Sequence, residues 1–130
     1  MTYEKGMIKG LMVFGTLLLA SAPADTVSSV ATGDEAFYRI DYAGAFSLYE
    51  SALEQSPNQP EILWRLARLY VCMGEVADGD RQQDFFRRAE VYSRQCIAAD
   101  STKSEGHTWL AGALGYLALT CDAANAGKGV

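Results

Sequence analysis

From residue 34 onward, apolar positions recur at helical spacing in successive blocks divided by polar breaks. "YAGAFSLYESALEQ" sets Tyr42, Ala45, Phe46, Tyr49, Ala52 and Leu53 on one face, the 3-and-4 spacing of an amphipathic helix. "SPNQP" ends it, because Pro57 and Pro60 cannot lie inside a helix while Pro60 suits the first turn of the next. From Ile62 a second stripe runs through Leu66, Leu69, Tyr70 and Met73, with Gly74 placed to end it. "EVADGDRQQ" reads as a polar, turn-forming break, and Asp80 with Gln83 predicts a capping box that starts the third helix near Arg81. That helix turns Phe85, Ala89, Tyr92, Cys96 and Ile97 inward. "DSTKSE" breaks the chain again, with Thr102 and Glu105 as a second capping box, and the last stripe holds Trp109, Leu110, Ala113, Leu114, Leu117 and Leu119.

The blocks repeat. Moved by 44 positions, Ala45 falls on Ala89, Ala52 on Cys96, Leu53 on Ile97, Glu61 on Glu105, Leu66 on Leu110 and Ala67 on Ala111. Small residues meet small and large meet large, as an internal repeat of paired helices requires. Short side chains recur where two helices cross closely, and large ones fill the space around the crossing. One hairpin cannot cover its own apolar face, so neighbours must stack upon it. The expected fold is all-α, a helical-hairpin solenoid of about two and a half repeats over residues 34–121. Residues 25–33 are expected as a linker and 122–130 as a flexible tail.

These residues resemble a tetratricopeptide repeat array. Leu66, Ala67, Tyr70 and Gly74 fit the first helix of a middle unit, and Ala45, Tyr49, Ala52 and Pro57 the second helix of the unit before it. The middle unit exceeds the usual ~34 residues by about ten, expected between its two helices, and has Ser93 and Ser101 where an aromatic and a proline are usual. "EILWRLARLY", the lengthened loop and "GHTWLAGALG" resemble the regulator-of-microtubule-dynamics type of tetratricopeptide protein over roughly residues 34–130. In such arrays the first helices line a concave surface that binds extended peptides or partner helices. The resemblance therefore implies contact positions at Glu61, Trp64, Arg68, Val71 and Cys72 in the middle unit, and at Glu105, Thr108 and Gly112 in the last. Trp64 and Arg68 are one turn apart, so a guanidinium can lie on the indole and offer a planar cation to a carboxylate.

Composition narrows the function classes. The chain is 49% hydrophobic with a formal charge of −5, globular in character and poorly suited to nucleic acid. Lys5 and Lys9, the run "LMVFGTLLLASA" and Ala22-Pro23-Ala24 form the three-part layout of a secretory signal over residues 1–24. Export to the periplasm or outside follows, with an uncleaved anchor as the alternative and no stable membrane insertion once the segment is cleaved. Cleavage would leave 9 basic and 15 acidic side chains.

Cys72, Cys96 and Cys121 have no metal-ligand spacing, and His107 is the single histidine, so no metal or cofactor is expected. The chain has no nucleophile elbow, phosphate loop or histidine pair, and an enzyme is not expected. Arg65, like Arg68, is read as solvated or paired with a nearby acid such as Glu61, and Arg87 and Arg88 as facing outward. The expected function is a non-enzymatic scaffold binding a peptide or protein. "LAGALGYLAL", apolar nearly all round, supports two alternatives: a homodimer through the last helix, or a longer array of which this chain is the first part.

Overall fold

A computed structural model describes residues 23–128. Five helices follow one another: α1 Ala24–Tyr38, α2 Tyr42–Gln55, α3 Pro60–Val76, α4 Gly79–Ala99 and α5 Ser104–Ala126. There is no strand among the described residues. α1 packs on α2, α3 on α4, and α5 leans on both helices of the second hairpin. The all-α helical-hairpin fold expected from the repeat is the fold observed, with two hairpins and a fifth helix.

Each hairpin is closed by one aromatic ring set against a glycine. Gly33 of α1 lies under Tyr49 of α2, where a Cβ would come within 2.6 Å of the ring. Gly74 of α3 lies under Phe86 of α4, with the corresponding approach at 2.4 Å. Gly74 therefore does not end its helix; α3 continues through Val76, and the glycine is used for close helix approach. Around these crossings Ala36, Ala45, Tyr49, Ala52, Ile62, Leu66 and Leu69 form one buried cluster. Tyr70, Val71, Ala89 and Ala113 form a second. The inward faces expected of α2 and α3 hold, whereas α4 buries Phe86 and Ser93 more deeply than Phe85 and Tyr92.

Several boundaries differ from expectation. Residues 25–33, expected as a linker, lie within α1, which turns Thr26, Gly33 and Ala36 inward. α5 runs through Ala126 into the expected tail. The enlarged loop between α3 and α4 does not exist, since only Ala77 and Asp78 separate them. The additional residues lengthen the helices, to 17 in α3 and 21 in α4. The polar string "EVADGDRQQ" is helical over most of its length because its polar side chains lie on outer faces.

Neither expected capping box forms. α4 is preceded by Asp78 and α5 by Lys103, without side-chain caps. Gln83 instead donates to the Thr120 carbonyl at 3.3 Å, and the Thr102 hydroxyl and amide donate to Asp100. The expected signal segment falls largely on residues 1–22, outside the described residues. No described helix is long and apolar enough to cross a membrane.

Candidate functional site

The face expected to bind is built from α3, with α1 on one side and α5 on the other. Pro60 opens α3 and Glu61 occupies its first turn, a favourable place for a carboxylate beside the helix dipole. One turn on, the indole Nε1 of Trp64 donates to Glu61 at 3.1 Å. Arg65 donates through Nη1 to the same carboxylate at 2.9 Å, and its guanidinium lies 4.3 Å from the indole centre. Lys103, just before α5, completes this cluster with an ion pair to Glu61. Trp64 is thereby held by its polar edge and by one ring face, half-buried.

A second knot lies one turn deeper. The Asp34 carboxylate of α1 accepts from Arg65 Nε at 2.9 Å, from Arg68 Nη2 at 3.2 Å and from the Tyr49 hydroxyl at 2.5 Å. Arg68 also donates to the Tyr49 oxygen at 3.2 Å. Its guanidinium lies 3.8 Å from the Phe37 ring centre and 5.1 Å from that of Trp64. Burial, and then the hydrogen bond to the Asp34 carboxylate, push the Tyr49 phenol well above its ordinary range. A neutral phenol can donate to Asp34, whereas a phenolate beside that carboxylate could not.

Positions expected to face a partner thus divide. Glu61 is exposed and Trp64 half-exposed, and they share one cluster with Arg65 and Lys103. Arg68 is itself only 8% exposed and Val71 only 3%. Val71 belongs to the core between α3, α4 and α5, because α5 lies across the surface it was expected to present. Arg68 is committed to Asp34 and Tyr49, so it is not the open cation expected, and its closest ring is Phe37 rather than the indole.

Cys72 is half-buried; burial and then the nearby Glu75 charge raise its thiol. On α5, Glu105 is held below the usual carboxylate range chiefly by its own backbone N–H at the helix start. Thr108 is exposed but donates its hydroxyl to the Ser104 carbonyl at 3.0 Å. The charges of Lys103 and Arg65 add to the lowering at Glu105, whereas Thr108 bonds within its own helix. His107 Nε2 donates to the Ser101 carbonyl, 2.8 Å away, an end-of-turn role.

Asp34, Phe37 and Tyr38 belong to the face and were not anticipated. The one available signal was an acid 31 and 34 residues before two arginines, about one repeat length. Beside the knot, Thr26, Val27 and Val30 of α1 and Ile62 of α3 line a groove of about 210 Å³, walled by Glu61 and Arg65. It is apolar inside and charged at its lip, the arrangement that receives an apolar side chain while hydrogen-bonding the chain that carries it. Among the described residues, no group of three His, Cys, Asp or Glu is placed to hold a metal ion.

The profile of the family described as regulator of microtubule dynamics protein 1-3 matches residues 29–125, from the second turn of α1 to the last turn of α5. Searches of curated proteins and of solved structures returned no match. With α2, α3 and α4 wholly and α1 and α5 mostly inside a match that spans well over half of the chain, this protein belongs to the regulator of microtubule dynamics protein 1-3 family.

Proposed function

We propose that this protein is a non-enzymatic interaction module of the tetratricopeptide type, holding a peptide or protein partner along the α1–α3 side. The observation that carries the reading is the groove of Val27, Val30 and Ile62, walled by the Glu61 and Arg65 side chains that also hold the Trp64 indole. Val27 is 59% exposed and Tyr38 74% exposed, so apolar surface is available at both ends of α1. Burial of Ala45, Tyr49 and Ala52 in α2, and of Leu66, Ala67, Tyr70 and Gly74 in α3, supports the tetratricopeptide assignment. The site consists of Glu61 and Trp64 with the groove residues, while Arg68 supports them from below.

The test is peptide selection on the full chain, followed by titration of the selected peptide against Val27→Glu and Trp64→Ala. Each substitution should weaken binding by about tenfold, the effect of removing one anchor contact, with circular dichroism unchanged. Unchanged affinity in both variants would refute the reading. A second reading, self-association through α5, is supported by Leu114 and Leu119, 41% and 67% exposed. A monomer whose sedimentation does not change with concentration would exclude it. Export is part of the proposal and rests on the layout of residues 1–24; cell fractionation tests it.

A further inference from the structure

α5 repeats the register of α3, and the repeat separates a covered face from a bare one. Moved by 44 positions, Ile62 and Leu69, buried in α3, fall on Gly106 and Ala113, buried in α5. On the neighbouring face the outcome reverses. Leu63, Ala67, Tyr70 and Gly74 are buried in α3, whereas His107, Ala111, Leu114 and Ala118 at the same places in α5 are exposed. In α3 that side lies under α4, with Phe86 set over Gly74 and Tyr92 stacked on Tyr70. The bare positions of α5 are therefore those at which this fold puts another helix.

The composition of the bare face supports a dry contact. α4, also an outer helix, exposes Arg81, Asp84, Arg87, Arg88 and Arg94. α5 has no Lys, Arg, Asp or Glu between Gly106 and Cys121. It exposes Ala111, Leu114, Gly115, Ala118 and Leu119 instead, and an uncharged apolar face of this kind marks a contact surface. A Cβ at Gly115 would meet nothing within 4 Å, so the space beside it is open.

We propose that the occupant is α5 of a second copy, running antiparallel about a two-fold axis between Leu114 and Gly115. This rests on the self-association reading above and gives it a direction and a register. α1 with α2 and α3 with α4 are closed as hairpins, and α5 is the described helix left without a hairpin partner. A two-fold pair covers both bare faces at once, and its direction is that of α4 against α3. In this register Leu114 meets the partner's Gly115, a large side chain on a glycine as in both hairpins. Ala111 meets the partner's Ala118, so the backbones can approach closely, and His107 meets the partner's Asp122. A parallel pair would set Asp122 against the partner's Asp122, like charge on like. Glu105, the other acid of α5, lies off the seam near Lys103 and Arg65. One helix pair is at the low end of interface size, so the dissociation constant is expected on the order of micromolar.

The test uses the full chain in sedimentation velocity and under mild thiol oxidation. A reversible dimer should form, and Ala118→Glu should weaken it by about tenfold or more. If that substitution lowers helix content, Ala111→Gln must weaken the dimer in the same direction. The antiparallel register holds the two copies of Cys121 roughly 20 Å apart along the seam, beyond disulfide reach. Gly115→Cys in a Cys121→Ser background should therefore crosslink the dimer, whereas native Cys121 should not. Crosslinking through Cys121 but not through Gly115→Cys would overturn the register and leave self-association standing. A dimer indifferent to both seam substitutions would place the interface elsewhere and overturn the proposal. A chain that stays monomeric would overturn both. If that monomer binds a synthetic peptide of Gly79–Ala99, the α4 sequence, the face receives a hairpin helix from another source. Val27→Glu should leave the dimer intact, which separates this surface from the α1–α3 groove.

Discussion

The two sides of α3 use arginine in opposite ways. Toward α1, Arg65 and Arg68 are neutralised by Asp34 and Glu61, and Tyr49 takes up part of the remaining hydrogen-bonding capacity. Toward α4, Arg81 and Arg88 stand over aromatic rings and make no ion pair among the described residues. Both sides look alike as lists of arginines and aromatics. The difference is burial: a guanidinium shut beneath Trp64 and Phe37 must be matched internally, because an unmatched buried charge costs several kcal/mol. One at the surface can leave its pairing to water. The first side therefore contributes structure, and the second leaves its cations at the surface.

Mutation should separate the two. Asp34→Ala removes the acceptor shared by Arg65, Arg68 and Tyr49 and should cost about 3 kcal/mol in urea unfolding, the scale for stranding a largely buried cation. A loss within the noise of the measurement would show that the knot is not structural. Tyr49→Phe keeps the ring over Gly33 and removes only the hydroxyl, for about 1 kcal/mol.

Tyr49 also carries a pH signature. Its folded pKa lies above the unfolded value of about 10, so the folded state retains the proton longer. Stability from this group is complete below about pH 10 and falls as pH rises past that value, where the unfolded chain loses its proton first. Tyr49→Phe should flatten part of the alkaline loss. Some slope should remain, because burial raises Tyr92 as well.

The smallest effect is expected on the α4 side. Arg81→Gln with Arg88→Gln should change unfolding free energy by less than about 0.5 kcal/mol, as exposed substitutions do. A loss comparable to Asp34→Ala would abolish the contrast between the sides.

Thiol accessibility offers an independent check on the packing. Cys121 is exposed, Cys72 half-buried and Cys96 buried, so alkylation at neutral pH should proceed in that order. Burial raises the latter two thiols, which slows them further.

The sequence alone was enough for the hairpins. Tyr49, Ala52, Leu66 and Ala67 are buried where their spacing placed them, because helical periodicity and small-residue crossings are local properties of the chain. Pro60 marked the start of α3 for the same reason. α1 was not legible: it turns Thr26, Gly33 and Ala36 inward, and small or polar residues leave little hydrophobic period to detect. The α3–α4 turn was misread as a long loop because polarity and turn propensity were given more weight than the helix length that tertiary packing sustains.

At the site, one-turn spacing was sufficient to put Trp64 within reach of Glu61. It could not say which arginine would be buried, since that depends on Asp34 arriving from 34 residues away. Nor could it show that the exposed Arg81 and Arg88 would lie near the rings of Phe85 and Tyr70. Periodicity determines which face of a helix is apolar. Only the tertiary arrangement decides what meets that face, because burial and charge pairing depend on distances between segments that the order of residues does not contain.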